Sequence, residues 1–65
     1  MTGEEMRTRR VAKNLSQAAL AARLGTRQAI ISDWERGQYP IDRRTELALM
    51  AIEADLDLTP EAQAA

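Results

Sequence analysis

The most constraining feature of this chain is a pair of short apolar segments that are separated by a glycine. Residues 15–25 read LSQAALAARLG, and residues 31–37 read ISDWERG. In the first segment apolar residues recur three and four positions apart, which is the spacing of one face of an α-helix. Gly25 permits a sharp turn, because glycine readily adopts a left-handed backbone. The pattern predicts two short helices packed across a turn, with polar side chains on the outer face of the second.

Cap signals divide the rest of the chain into helices, and no stretch alternates apolar and polar residues for long enough to indicate a strand. Thr2 and Glu5 have the spacing of a capping box, and Ser16 has the position of an N-cap. A second glycine, Gly37, stands where a helix should end. The predicted helices span residues 3–13, 17–24 and 28–36, and a fourth runs from its cap Asp42 to residue 54. The predicted fold class is therefore all-α.

The length and composition exclude several classes of function. The chain has 65 residues, with no cysteine and no histidine. This length predicts one domain, and the composition excludes disulfides and the common zinc sites, so no cofactor or small-molecule ligand is expected. Ser16 and Ser32 have no base to activate them, which argues against an enzyme. No apolar run reaches the roughly 20 residues that cross a bilayer, so we expect a cytoplasmic protein without a membrane partner.

The charge is distributed unevenly along the chain. The formal net charge is −1, but residues 6–37 hold seven basic and two acidic side chains. From residue 38 onward, two basic side chains face six acidic ones. The asymmetry predicts a basic face for a partner and an acidic end that points away from it. The alternative is the ordinary charged surface of helices.

The apolar positions predict the core. Ala21 should be small because the third helix crosses the second there. Four larger residues are expected to fill the wedge between these helices: Leu20, Leu24, Ile31 and Trp34. Two residues of the first helix are also expected in the core: Met6 and Val11. In the fourth helix, one apolar stripe is formed by Leu47, Met50, Ala51 and Ala54, and it is widened by Ala48, Leu49 and Ile52.

Several of these positions together resemble one known family. The matching residues are Arg10, Leu15-Ser16-Gln17, Leu20-Ala21, Leu24-Gly25, Ile31-Ser32 and Trp34-Glu35-Arg36-Gly37. Over residues 6–52 the chain resembles the Cro/C1-type (XRE-like) helix-turn-helix proteins of phage repressors and bacterial regulators. The resemblance implies a compact four- to five-helix, lambda-repressor-like DNA-binding domain. We assign this domain to residues 1–58 and regard residues 59–65 as a C-terminal tail, frayed or docked at a dimer interface.

The resemblance also implies roles for three polar residues. Arg10 and Glu35 are implied to form an ion pair between the first helix and the end of the third, which would hold the angle of the third helix. A phosphate contact is the alternative role of Arg10. Gln17, at the start of the second helix, stands where the family places a contact to a DNA phosphate.

The outer face of the third helix is the expected base-reading surface. Five residues remain there once the inner positions are removed: Arg27, Gln28, Ala29, Ser32 and Asp33. Glutamine can pair with adenine, arginine with guanine, and alanine can touch a thymine methyl. Asp33 differs, because phosphates repel a carboxylate unless it accepts from a cytosine amino group; it could instead restrain Arg36 or limit off-target binding. Ordinary solvation is the alternative for each polar residue.

The candidates for backbone contacts lie around the loop after the third helix. Besides Gln17, they are Arg36, Gln38, Arg43 and Arg44. Arg43 and Arg44 equally fit the first turn of the fourth helix as surface charges, where the helix dipole disfavours them unless an anion compensates. The serine or threonine with which the family usually caps the third helix is absent. Either Thr26 caps one residue early or the cap is lost.

The expected function is that of a sequence-specific double-stranded DNA-binding transcriptional regulator. We expect a homodimeric autorepressor of a phage or mobile-element operon, which reads a palindromic operator with the third helix in the major groove. The expected dimer interface comprises Leu49, Ile52, Leu56 and Leu58; alternatively, the fourth helix only closes the monomer core. Two rivals are an antitoxin-type regulator that also binds a partner protein and a protein-interaction module without DNA binding. A steep salt dependence of DNA affinity separates them.

Overall fold

The computed structural model describes residues 1–55 and contains helices but no strand over that range. The helices are α1 (Gly3–Ala12), α2 (Gln17–Leu24), α3 (Gln28–Glu35) and α4 (Arg43–Glu53). The all-α prediction is confirmed, and the predicted ends of α1, α3 and α4 were each one residue too long. The predictions for Leu56, Leu58 and the tail over residues 59–65 lie outside the described residues. No helix within residues 1–55 is long and apolar enough to span a bilayer.

Side chains cap the starts of three helices as predicted. The backbone N–H of Glu5 donates to Thr2 Oγ1 over 3.0 Å, and the Glu5 carboxylate accepts in return from the Thr2 backbone N–H over 3.4 Å. Ser16 Oγ accepts from the N–H of Ala19 over 3.0 Å. Asp42 Oδ1 accepts from the N–H of Thr45 over 2.8 Å. These bonds satisfy backbone donors that the first turn of a helix leaves without partners.

Two glycines end the two middle helices. Gly25 has φ of +73° and caps α2, and Gly37 has φ of +77° just after α3. The left-handed conformation lets the chain turn while its N–H groups reach back to helix carbonyls. The N–H of Gln38, for example, donates to the carbonyl oxygen of Asp33 over 2.9 Å. The ends of α2 and α3 are therefore set by local sequence.

All four helices contribute to one core. Its buried residues are Met6, Leu20, Ala21, Ile31, Leu49 and Ile52, and the partly buried residues packed against them are Met1, Leu15, Leu24, Trp34 and Ile41. The core predictions for Met6, Leu20 and Ile31 are confirmed. Leu24 and Trp34 lie at the edge of the core. Ala21, at the packing of α2 against α3, is only 3% exposed. The small side chain at this position lets the two helices pack closely.

The core prediction for Val11 was wrong, and the predicted apolar stripe of α4 was centred on the exposed side of the helix. Val11 is 55% exposed, because α1 turns its Met6 side toward the core. On α4, Leu47 and Met50 are 49% and 45% exposed, whereas Leu49 and Ile52 are 1% and 3% exposed. The inward face of α4 is therefore formed by two of the residues that widened the predicted stripe, and it lies about half a turn from the centre of that stripe. Leu49 and Ile52 cannot form the expected dimer surface, because they already close the core of a single chain.

Candidate nucleic-acid interface

The outer face of α3 is open to solvent while its inner face anchors the helix. Ile31 is fully buried, and Trp34 packs against the same core. The predicted base-reading residues lie elsewhere on the helix: Arg27, Gln28 and Ala29 are exposed, and Ser32 and Asp33 are partly exposed. Residues three and four apart share one face of a helix. Gln28, Ala29, Ser32 and Asp33 are related by such spacings and share the outer face of α3, and Arg27 is the N-cap residue at the start of the same helix.

The start of α3 has no side-chain cap. Arg27 is the N-cap residue, with φ of −109° and ψ of 153°, and its side chain makes no capping hydrogen bond. Thr26 is one residue too early to cap, and its own N–H donates to the carbonyl oxygen of Ala21 over 2.9 Å. Of the two alternatives given above, the cap is lost. The Arg27 side chain remains exposed at the end of the helix that carries a partial positive charge.

The end of α3 is held by an ion pair with α1. Arg10 Nε donates to Glu35 Oε2 over 2.7 Å, and Arg10 Nη2 donates to Glu35 Oε1 over 3.1 Å. Arg10 Nη1 also donates to the carbonyl oxygen of Leu15 over 2.8 Å. The side chains of Arg10 and Glu35 are 11% and 4% exposed. The guanidinium of Arg10 thus links three parts of the chain, which are α1, the loop that precedes α2, and α3. These contacts leave the guanidinium little capacity to bind a phosphate.

Gln17 joins this ion pair to the predicted base-reading face. Its Nε2 donates to Glu35 Oε1 over 3.1 Å, and its Oε1 accepts from Gln28 Nε2 at 3.5 Å. The predicted phosphate residue Gln17 therefore lies between the buried carboxylate and the first residue of α3. Sequence reasoning missed the bond between Gln17 and Glu35, because these residues are 18 positions apart and no periodicity relates them. Through Gln17, this network of hydrogen bonds orients the side chain of Gln28.

The exposed end of α3 carries a second ion pair. Arg36 Nη2 donates to Asp33 Oδ1 over 2.6 Å, and Arg36 Nε donates to the carbonyl oxygen of Ser32 over 3.4 Å. The Asp33 side chain is 27% exposed and that of Arg36 is 62% exposed. The predicted base-reading carboxylate and the predicted phosphate-binding arginine are thus in direct contact.

The remaining backbone-contact candidates lie just beyond α3. Gln38 is exposed in the loop, and Arg43 and Arg44 are exposed in the first turn of α4. Arg43 pairs with Glu46 one turn further along. This carboxylate is the compensating anion that a basic residue at a helix start needs. Hydrogen bonds from Thr45, and to a smaller extent the charge of Arg44, hold the pKa of the Asp42 carboxyl below its usual range.

The acidic end of the described chain does not point away from the basic segment. Glu53 on α4 pairs with Arg9 on α1, and Asp55 pairs with Lys13 over 2.7 Å. The hydrogen bond from Arg9 lowers the pKa of Glu53, and the hydrogen bond from Lys13 lowers the pKa of Asp55. The predicted separation of charge was therefore wrong, because α4 packs its end beside α1 and neutralises two of its cations.

Four arginines have no carboxylate partner within residues 1–55: Arg7, Arg23, Arg27 and Arg44. Arg27 and Arg44 belong to the predicted DNA surface, whereas Arg7 lies on α1. The positive charge that is available to a polyanion is thus smaller than the sequence balance indicates. Two of these four arginines stand at the starts of α3 and α4, and the other two lie on α1 and α2.

Comparison with known proteins places this arrangement in a family. The family model for HTH_3, described as helix-turn-helix, matches residues 6–61. The match includes α2, α3 and the turn at Gly25, together with both members of the Arg10–Glu35 pair. Neither the comparison with curated proteins nor the comparison with solved structures gave a match.

Proposed function

The chain belongs to the Cro/C1-type helix-turn-helix family, whose domains bind DNA and are not catalytic, and we propose that it is a sequence-specific transcriptional regulator. In this proposal it is a homodimeric autorepressor of a phage or mobile-element operon, and it reads a palindromic operator. The observation that carries the proposal is the geometry of α3. Its apolar face is fixed in the core, and its polar face is open to solvent beside Arg27, which has no carboxylate partner within residues 1–55.

The proposed reading of DNA follows from the positions on α3. When this helix lies in the major groove, Gln28 reaches adenine, Arg27 reaches guanine or a nearby phosphate, and Ala29 contacts a thymine methyl. Ser32 and Asp33 face the next base pairs along the groove. The backbone contacts are assigned to Gln17, Arg36, Gln38, Arg43 and Arg44. Arg43 exchanges Glu46 for a phosphate at little cost, because an exposed ion pair contributes little free energy.

Two copies of the chain are proposed to act together, because one helix that reads a few base pairs provides too little specificity. The two half-sites then lie about one helical turn apart on the DNA. Because Leu49 and Ile52 are buried, the proposed contact surface is formed by the exposed α4 residues Leu47 and Met50 with Leu56 and Leu58. The repressor action follows from a bound dimer that blocks polymerase at the promoter.

Selection of bound duplexes from a random DNA pool at stated salt tests the function. We expect a symmetric motif, and an affinity for it that falls linearly with salt on a double-logarithmic plot. Arg27→Ala and Arg7→Ala remove the same charge from two exposed arginines that have no carboxylate partner within residues 1–55. Arg27→Ala should weaken binding at least about fivefold, whereas Arg7→Ala should change it little. No association at low salt would favour the protein-interaction module instead.

The dimer is tested by sedimentation of the free chain and of its complex with the selected duplex. We expect two chains per symmetric site. Leu47→Glu should weaken self-association and the affinity for the two-half-site duplex, since it places a charge in an apolar contact. Val11→Glu is the matched control, because Val11 is equally exposed on α1. Equal effects of the two substitutions would contradict the assignment of the α4 surface.

A further inference from the structure

We propose that Asp33 selects a cytosine in the operator and that Arg36 is a positioning residue that acts through Asp33. The inference rests on the proposed function, because it names a base that the outer face of α3 selects. It starts from an unusual pairing on that face: a carboxylate is placed where the helix would approach a polyanion, and a salt bridge holds it there.

The geometry leaves one carboxylate oxygen of Asp33 free for a ligand. Arg36 Nη2 engages Oδ1 over 2.6 Å, and within residues 1–55 no hydrogen bond is made to Oδ2. No buried side-chain oxygen or nitrogen in this part of the chain lacks a partner, so Oδ2 is not a buried atom, and the Asp33 side chain is 27% exposed. An ionised carboxylate only accepts hydrogen bonds. Asp33 therefore presents one free acceptor beside an occupied one.

The pair is also held in place along the helix. Arg36 Nε bonds the carbonyl oxygen of Ser32 over 3.4 Å, so the guanidinium contacts α3 at two points. The carbonyl oxygen of Asp33 accepts from the N–H of Gln38 over 2.9 Å, which closes the end of the helix around this residue. Both the backbone and the side chain of Asp33 are thereby oriented before any ligand arrives. Such preorganisation favours a directional contact.

The chemistry of the major groove identifies the base. Guanine presents two acceptors there, thymine presents one, and both repel a carboxylate. Adenine presents its amino group beside the N7 acceptor, whereas cytosine presents an amino donor, which Asp and Glu accept from in protein–DNA complexes. The adjacent Arg36 offsets the repulsion between Asp33 and the flanking phosphates. The pair thus behaves as a locally neutral acceptor for the cytosine amino group.

Selection from a random pool, followed by affinity measurements on single duplexes, tests the role of Asp33. We expect the wild-type motif to contain a C·G pair in each half-site and to lose at least about fivefold in affinity when that pair becomes T·A. Asp33→Asn keeps the shape but adds a donor, so its motif should change at that position alone, toward adenine, which asparagine recognises. Glu4→Gln removes an exposed carboxylate from α1 and should leave the motif unchanged.

Arg36→Ala separates positioning from a simple phosphate contact. If Arg36 acts through Asp33, its removal reduces the discrimination between C·G and T·A duplexes as well as the affinity. Equal losses on both duplexes would show that Arg36 contacts only the backbone and would overturn its positioning role. Circular dichroism melting keeps these results interpretable, because both residues lie outside the core and the variants should remain folded.

The outcomes also separate this inference from the proposed function. A wild-type chain that enriches a motif which Asp33→Asn leaves unchanged overturns the cytosine assignment but not DNA binding. A wild-type motif that contains no preference for a C·G pair also overturns the cytosine assignment but not DNA binding. A wild-type chain that enriches no motif and shows no salt-dependent association overturns the proposed function, and the inference with it.

Discussion

Gly3 at the start of α1 lies directly against the carbonyl oxygen of Trp34 at the end of α3. A Cβ atom added to Gly3 would stand 2.1 Å from that oxygen and 2.7 Å from the carbonyl oxygen of Glu35. Contacts this close do not occur, and the obstacle is backbone, which cannot rotate away as a side chain can. The absence of a side chain at residue 3 therefore sets how closely the end of α3 approaches α1.

Gly3→Ala should destabilise the fold even though alanine is the better helix former. Helix propensity alone predicts a gain of up to about 1 kcal/mol, whereas the clash should cost about 1–3 kcal/mol. Thermal unfolding followed by circular dichroism shows whether the substitution raises or lowers the melting temperature. Gly25→Ala is the control, since its Cβ meets no atom within 4 Å and only the positive φ opposes it. A higher melting temperature for Gly3→Ala would contradict the close approach.

Glu35→Ala should weaken folding and DNA binding together. It leaves Arg10 unpaired in a site where the side chains are 11% and 4% exposed, which should cost about 3–5 kcal/mol. The double variant Arg10→Met with Glu35→Leu should recover much of the melting temperature, because apolar residues can replace a buried ion pair. It should not recover the affinity, since Gln17 loses its acceptor. Full recovery of both would show that the network has no role in binding.

Arg27→Ser should separate stability from binding. Serine is a good N-cap, and α3 has no side-chain cap, so the substitution should stabilise the fold by about 0.5–1 kcal/mol. The same change removes an arginine from the start of the helix that is proposed to read the bases, and it should lower DNA affinity. Denaturant unfolding and a binding titration on the same preparation measure both effects. A loss of stability would mean that the Arg27 side chain supports the fold in a way the hydrogen bonds do not show.

Acid should weaken the contact between α1 and α4. The hydrogen bond from Arg9 lowers the pKa of Glu53, so the pair stabilises the fold fully above the unfolded pKa of about 4.3. This contribution is lost as the pH falls through the lower folded value. The wild type should therefore melt higher than Glu53→Gln at pH 7, and the gap should close toward pH 3. A gap that stays constant over this range would exclude the linkage.

The caps and the stops of the helices could be predicted from the sequence because they are local. Thr2 with Glu5, Ser16 and Asp42 each bond a backbone N–H three residues away, and such bonds need no distant partner. Gly25 ends α2 for an equally local reason, its left-handed conformation. The ends of α1, α3 and α4 were predicted less exactly, and each helix stops one residue before its predicted end.

The faces of α1 and α4 could not be predicted in the same way. The apolar residues of α4 cover more than one side of the helix, so periodicity alone left its inward direction open. In the packed structure Leu49 and Ile52 lie in the same buried core as Met6, whereas Leu47 and Met50 are exposed. On α1, Val11 is an isolated apolar residue, so its position did not indicate which side of the helix faces the core.

The sequence by itself determined four helices, the side-chain caps of three of them and the membership of α2 and α3 in a helix-turn-helix, because these depend on contacts within a few residues. Only the tertiary structure decided that Gly3 touches Trp34, that Gln17 bonds Glu35 and that α4 neutralises Arg9. Each of these contacts joins residues 18 or more positions apart. Their geometry depends on the angles at which helices pack, and those angles follow from how all the core side chains fit together at once.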